Sequence, residues 1–325
     1  MTQHFLVLGT GGTIAGSAGS AIRRDYRPGQ IAIDDFLGDV AALGLDARFT
    51  GRQIANMGSE DIGWPVWHRL HTAIAAAMDD PDFDAIIITH GTDTAEETAF
   101  LLDRTLPSSK PVIIVGAMRA ADAVGSDGLR NFANAMQVAG DPDAAGRGVM
   151  VVMNDFVHSA RDVRKAHTSG TDAFRGFPRG PIAMVTPASL EWFGEPWRKG
   201  EEARFAFPER LADIAMLYAF AGMEPVLVEQ AVATGAKGIV LAGFGTGNMP
   251  QTIRAVLSEA AGAGLLVVRS TRVDEGLVDI EPDDAACGFI AARSLNPQKS
   301  RILLQLLLAD GITDPARAQQ EFNRR

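Results

Sequence analysis

The stretch DAIIITHGTDT (residues 84–94) has an unbroken apolar run after its first aspartate and then, over six residues, turns to threonine, histidine, glycine and an acid. A run that short, β-branched and without polar alternation reads as a strand buried on both faces, the kind found in parallel sheets. The same pattern recurs along the chain, in FLVLGT (5–10), PVIIVGA (111–117), GVMVVMN (148–154), GIVLAGF (238–244) and LLVVRST (265–271). Helical periodicity fills the intervals at 64–78, 94–105 and 250–262. Strands that alternate with helices predict a doubly wound, mostly parallel α/β sheet. Near residues 187–212 the pattern lapses into PASLEWFGEPWRKGEEARFAFPER, rich in Pro, Gly and charge. This places a linker at 189–212 between a larger N-terminal α/β domain (1–188) and a smaller C-terminal α/β domain (213–325).

Composition narrows the function classes. With 325 residues, 46% of them hydrophobic and 22% charged, the chain can bury a sizeable core. A formal net charge of −10 argues against nucleic acid and against an anionic membrane as partner, since both would repel such a surface. No stretch approaches the ~18 consecutive apolar residues of a membrane span. The N-terminus enters a core strand without a basic or small-residue leader pattern, so a cytoplasmic location is expected. Cys287 is the single cysteine, so no disulfide can form within the chain.

Ligands of open α/β sheets bind beyond the carboxyl ends of the strands, so the strand tips are the places to read. TGGTIAG (10–16) is glycine-rich but matches neither the dinucleotide fingerprint nor the phosphate loop: position 14 is Ile14 and no lysine comes after it. Thr13 there fits a helix cap as well as a reactive hydroxyl. In HGTDT, Asp93 or Thr94 also fits a cap for a helix starting at Ala95, with Glu96 and Glu97 in its first turn. Ser59 of NMGSED (56–61) fits the same local reading. Lys165, in ARDVRKAHT (160–168), stands among Arg161 and Arg164 as an ordinary surface cation would.

Taken in order, TGGTIAG, HGTDT, VGAMR (115–119) and MNDFVHSARDVRK (153–165) strongly resemble the bacterial L-asparaginases of the homotetrameric, two-threonine type. The likeness continues through GFGTGN (243–248), VVRSTRV (267–273), EPDDA (281–285) and LNPQKSRILLQLLL (295–308). Between about 170 and 212 only GP at 180–181 matches. The resemblance implies hydrolysis of L-asparagine to L-aspartate and ammonia, without metal or organic cofactor. It makes Thr13 the nucleophile, with Tyr26 of RDYRPG beside it on a flap, Ser17 to Tyr26, that includes Arg23 and Arg24. Thr92, Asp93 and Lys165 form a second polar group across the substrate. Ser59 takes the α-carboxylate, Glu60 and Asp93 the α-ammonium, and Ala117 offers its backbone carbonyl to the scissile amide. Asn248 braces the pocket, and Glu281 reaches in from a neighbouring subunit of a tetramer built from intimate dimers.

The chemistry needs such residues. A threonine hydroxyl must lose its proton as it attacks, through a nearby base, a water or a tyrosine, and Lys165 can serve if Thr92 relays its proton and Asp93 orients it. Many relatives carry Gln after the substrate-binding serine, whereas this chain has Glu60, so L-glutamine stays open as an alternative substrate. A tRNA-linked amidotransferase subunit and a non-catalytic amino-acid-binding protein of the same fold are the remaining alternatives.

Overall fold

The computed structural model describes residues 2–19 and 26–324. The chain divides into two units, Met1–Arg204 and Phe205–Arg325. In the first the elements are β1 (Gln3–Gly11), α1 (Ile33–Ala41), β2 (Ala47–Met57), α2 (Trp64–Asp79), β3 (Ala85–Thr89), α3 (Ala95–Thr105), β4 (Val112–Val115), α4 (Gly128–Ala139), β5 (Val149–Met153), β6 (Phe156–Ser159), β7 (Val163–Lys165), β8 (Phe174–Gly176), β9 (Ala183–Val185) and β10 (Leu190–Trp192). Eight strands form one sheet in the order β10-β9-β6-β5-β4-β3-β1-β2, and β7 and β8 form a separate antiparallel hairpin. From β2 to β5 the sheet is parallel; β6, β9 and β10 extend it antiparallel.

Alternation along each strand divides the core into two layers. Leu6, Leu8, Ile86, Ile88 and Ile114 face α2 and α3, packing on Leu70, Ile74, Met78, Ala99 and Leu102. Phe5, Val7, Ile87, Ile113 and Val115 face α1 and α4, packing on Ile33, Phe36, Val40, Phe132 and Val138. The helical residues recur every three or four positions, which is why each helix lies flat on the sheet. Burying one such Ile or Leu contributes roughly 1.5–3 kcal/mol. β3, buried at every position, therefore belongs in the middle of the sheet.

Register then places the functional tips. Gly9 pairs with Thr89 and Thr89 with Val115, so β3 and β4 end on the rung of Gly9 and β1 runs two residues further, to Gly11. The chain leaves β1 for β2 on one side and returns to β3 on the other. That reversal makes the gap beyond β1 and β3 the switch point where ligands of such sheets bind.

Where the linker was expected, residues 190–192 form β10, paired with β9. Further on, Arg198 is buried against the first unit, donating from Nη1 to the Asp103 carbonyl at 2.6 Å and to Asp103 Oδ1 at 2.9 Å. Ser108 Oγ donates in turn to the Arg198 carbonyl. The second unit contains β11 (Ile214–Tyr218), α5 (Val226–Ala233), β12 (Gly238–Gly243), α6 (Gln251–Gly262), β13 (Leu266–Thr271), α7 (Asp284–Cys287), β14 (Phe289–Ala291), α8 (Pro297–Ala309) and α9 (Pro315–Asn323). Its sheet, β11-β12-β13-β14, is parallel throughout. No helix among the described residues is long and apolar enough to cross a membrane.

Asp103 also accepts the Val149 N–H at 3.1 Å. Asp103→Ala would remove the buried counter-charge of the Arg198 guanidinium and leave it only the exposed Glu201 carboxylate, 3.1 Å from Nε, so it should destabilise the first unit by up to roughly 3–5 kcal/mol. The denaturant midpoint of its unfolding transition is the measurement.

Candidate active site

Four strand tips converge at the switch point. β1 ends in Gly11 and Gly12, both with positive φ, and Thr13 opens a single 3-10 turn, Thr13–Ala15. The loop can lie there only because neither tip carries side-chain bulk: a Cβ on Gly12 would collide with the backbone of Gly91, and one on Gly91 would stand 2.7 Å from Ser59 Oγ. The tips of β1, β3 and β2 are therefore in direct contact. Gly116, at the end of β4, lies against His90 and Thr92 on the same principle.

Each hydroxyl at these tips bonds across loops and caps no helix. Thr13 Oγ1 is 2.5 Å from the Tyr26 hydroxyl. Thr92 Oγ1 accepts from Lys165 Nζ at 2.8 Å, and the same ammonium pairs with Asp93 Oδ1. Ser59 Oγ accepts the Asp93 N–H at 3.1 Å, and Thr94 Oγ1 donates to the Ser59 carbonyl at 2.8 Å. The helix and turn starts at Thr94, Gly58 and Gly12 have no side-chain cap, which removes the local reading of these residues. Lys165 is brought in by β7, and its ammonium is mostly shielded while the Asp93 carboxylate stays largely exposed. Ala117 is fully buried. Glu60 is exposed, and its carboxylate folds back over Gly58.

Further residues, which no local sequence signal singled out, hold these groups. Asp122 accepts from Ser17 Oγ at 2.7 Å and from the Ala18 and Gly19 N–H groups at 2.8 and 3.0 Å, and these bonds hold its carboxyl below the usual range. Ser17 bridges Arg27 through two backbone bonds, which anchors the chain next to Tyr26. Arg23 and Arg24, expected on this flap, lie outside the described residues. Behind HGTDT, His90 is fully buried: its Nδ1–H donates to the Gly91 carbonyl at 2.6 Å, and its Nε2 accepts from Thr98 Oγ1 at 3.0 Å. Thr98 accepts in turn from Trp67 Nε1–H at 2.9 Å. Since the Gly91 carbonyl can only accept, this chain fixes the tautomer, and burial holds the His90 pKa down at about 4.

Asn248 and Glu281 belong to the second unit. Asn248 closes a tight turn in which its N–H and carbonyl both bond Phe244. Arg269, fully buried on β13, donates to Asp284 at 2.7 and 3.0 Å and to the Thr246 carbonyl at 2.7 Å, and lies 3.2 Å from Glu281. Arg254 holds the other oxygen of Glu281, also at 3.2 Å. Asp284 is thus buried in an ion pair, and Glu281 is held between two arginines. A charge inside the apolar strand LVVRST was the one available signal for Arg269. Among the described residues, no group of three or more His, Cys, Asp or Glu could hold a metal ion.

A parallel sheet with two hydroxyl-bearing tips at its switch point, one of them backed by lysine and aspartate, defines a candidate active site of an α/β enzyme. The family models for "Asparaginase, N-terminal" and "Glutaminase/Asparaginase C-terminal domain" match residues 4–198 and 213–322. The chain is 39% identical over 326 residues to L-asparaginase 2 of Escherichia coli strain K12, covering 99% of this chain and 93% of that one. It is also 39% identical to a "Probable L-asparaginase periplasmic" of Haemophilus influenzae, over 98% of this chain and 92% of that one. The crystal structure of a probable cytoplasmic L-asparaginase from Campylobacter jejuni superposes with a TM-score of 0.93 at 36% identity, covering all of both chains. The chain belongs to the asparaginase family.

The depressed pKa of His90 sets a pH dependence. An unfolded histidine takes up a proton near pH 6.5, whereas the folded one stays neutral down to about pH 4. Stability should therefore fall as pH drops through this window, by up to about 1.4 kcal/mol per pH unit for this one group. His90→Gln should flatten the slope relative to the unsubstituted protein in urea titrations run from pH 7 to 4.

Proposed function

We propose that this protein is an L-asparaginase, an amidohydrolase that converts L-asparagine to L-aspartate and ammonia. The observation that carries the reading is the meeting of the two threonine tips: Thr13 on Tyr26 at one, Thr92 on Lys165 and Asp93 at the other. In this reading Thr13 Oγ1 adds to the amide carbon, and its proton passes through the Tyr26 hydroxyl to the departing nitrogen. The C–N bond breaks, ammonia leaves, and an ester remains on Thr13. Water then cleaves that ester, with Thr92 and Lys165 carrying its proton and Asp93 orienting the ammonium. Ser59 takes the substrate α-carboxylate, Glu60 and Asp93 its α-ammonium, and the Ala117 carbonyl the amide N–H. Asn248 braces the pocket and Glu281 completes it from a neighbouring copy.

The assembly belongs to the same proposal: a homo-oligomer, taken to be a tetramer of intimate dimers. It is supported by exposed apolar residues in the segment leading to Glu281, with Val273, Leu277 and Ile280 at 46%, 41% and 51%, since apolar surface of this kind marks contact sites when contiguous. A cytoplasmic location is proposed as well. The Campylobacter protein is described so, against a periplasmic description for the Haemophilus relative. L-Glutamine is the second candidate substrate, left open by Glu60 beside Ser59 and supported by the C-terminal domain's family, which takes in glutaminases.

Ammonia release from purified protein, with L-asparagine, L-glutamine or neither, tests the activity, and kcat/KM for the two amides separates the readings. Thr13→Ala and Thr92→Val should each lower kcat by about a thousandfold or more with the fold intact. Retention of more than about a tenth of kcat, a loss below ~1.4 kcal/mol, would leave that threonine without a catalytic role.

The shared pocket has its own test. Inactive Thr13→Ala and Glu281→Ala proteins, dissociated and reassociated together, should regain part of the activity, because some sites in the mixture carry both native residues. Proven subunit exchange without recovery would place Glu281 outside its neighbour's site.

A further inference from the structure

Asp127 holds the peptide after Ala117. Its carboxylate accepts the Met118 N–H at 3.0 and 3.1 Å and the Arg119 N–H at 3.0 Å. Asn131, buried one turn along α4, donates from Nδ2 to Asp127 Oδ2 and to the Gly116 carbonyl, both at 3.0 Å. The far side of Asn131 is fixed as well, its Oδ1 accepting the Asn154 N–H at 3.1 Å. The peptides on both sides of Ala117 are therefore tied to α4 by two side chains.

Planarity turns these ties into a direction. The cis peptide among the described residues is Phe177–Pro178, so Ala117–Met118 is trans. In a planar trans peptide the N–H and C=O point in opposite directions. With the Met118 N–H drawn onto Asp127, the Ala117 carbonyl has to face away from it. Ala117 comes after Gly116, which packs on His90 and Thr92, and Gly128 packs against both Ala117 and Ile14, the neighbour of Thr13. The peptide thus lies between the two threonine tips.

We propose that Asp127, braced by Asn131, is a positioning residue that aims the Ala117 carbonyl at the N–H of the scissile amide and so favours an amide over a substrate whose leaving group has no N–H. This rests on the asparaginase reading given above. The backbone oxygen can be turned by rotating one peptide, and the carboxylate is what opposes that rotation.

The test compares L-asparagine with the β-methyl ester of L-aspartate, whose leaving group is methanol and offers no N–H. Asp127→Ala should lower kcat/KM for asparagine by at least about tenfold more than for the ester, the scale of one lost hydrogen bond. Asp127→Asn, which keeps an oxygen but no charge, should move the ratio the same way by roughly threefold. It serves in place of the alanine variant should that one not fold. Hydrogen exchange at the Met118 and Arg119 amides should accelerate in both variants. Equal losses on the two substrates, or unchanged exchange at these amides, would overturn the proposal. If the unsubstituted protein releases no ammonia from asparagine, the asparaginase reading fails on its own account and takes the aiming of the carbonyl with it. Exchange at residues 118 and 119 would then decide only whether Asp127 fixes the peptide.

Discussion

The site depends on backbone meeting backbone at Gly12 and Gly91. Because β1 and β3 are paired neighbours that end within two residues of one rung, their loops leave the sheet side by side, and only the absence of two β-carbons lets them touch. A side chain at either position would push the tips apart by the thickness of a methyl group or more. Thr13 and Thr92, each one residue beyond its glycine, would separate with them. Ser59 joins the stack through Gly91, so that three loops from three parallel strands share one packing constraint.

Groups outside the pocket aim the groups inside it. His90 and Asp127 each tie down one peptide, the first through the Gly91 carbonyl and the second through the Met118 N–H. A planar peptide held at one atom has its other polar atom directed as well. Such positions carry no reactive side chain, yet they decide where a carbonyl or an N–H points. Neutrality is part of how His90 does this: with Nε2 free to accept from Thr98, the chain from Trp67 to Gly91 has a donor and an acceptor at every step.

Legibility in the sequence tracked the hydrophobic pattern. The strands at Gln3–Gly11, Ala85–Thr89, Val112–Val115, Val149–Met153, Gly238–Gly243 and Leu266–Thr271 were readable because burial on both faces leaves an apolar run. β2 was not, since an edge strand keeps polar residues such as Arg48, Arg52 and Gln53 at the surface. The short antiparallel strands β6 to β10 were also missed, because three or four residues are too few to show a period. The hydroxyls at the tips could be found from the residues immediately beyond each apolar run, where an open α/β sheet presents its ligand-binding loops. The residues that anchor the loops around them could not, because Asp122 and Asp127 act through contacts made only after the chain has folded.

The acids assigned to the substrate ammonium on the proposed reading are mostly paired already. Asp93 stands against Lys165, and Glu281 lies between Arg254 and Arg269. An arriving ammonium must share each of these acids with a cation already in place, which reduces the Coulombic gain from either. Glu60 differs, since among the described residues it makes no ion pair. On the proposed reading it therefore supplies, next to Ser59, a negative charge that is not matched in advance, where a glutamine would supply only a hydrogen-bond acceptor. Its exposure limits the effect: an ion pair formed at such a surface contributes roughly 0–1 kcal/mol and is screened by salt. On that reading Glu60 is suited to tune how tightly an α-amino amide is held, while the threonine tips carry the reaction.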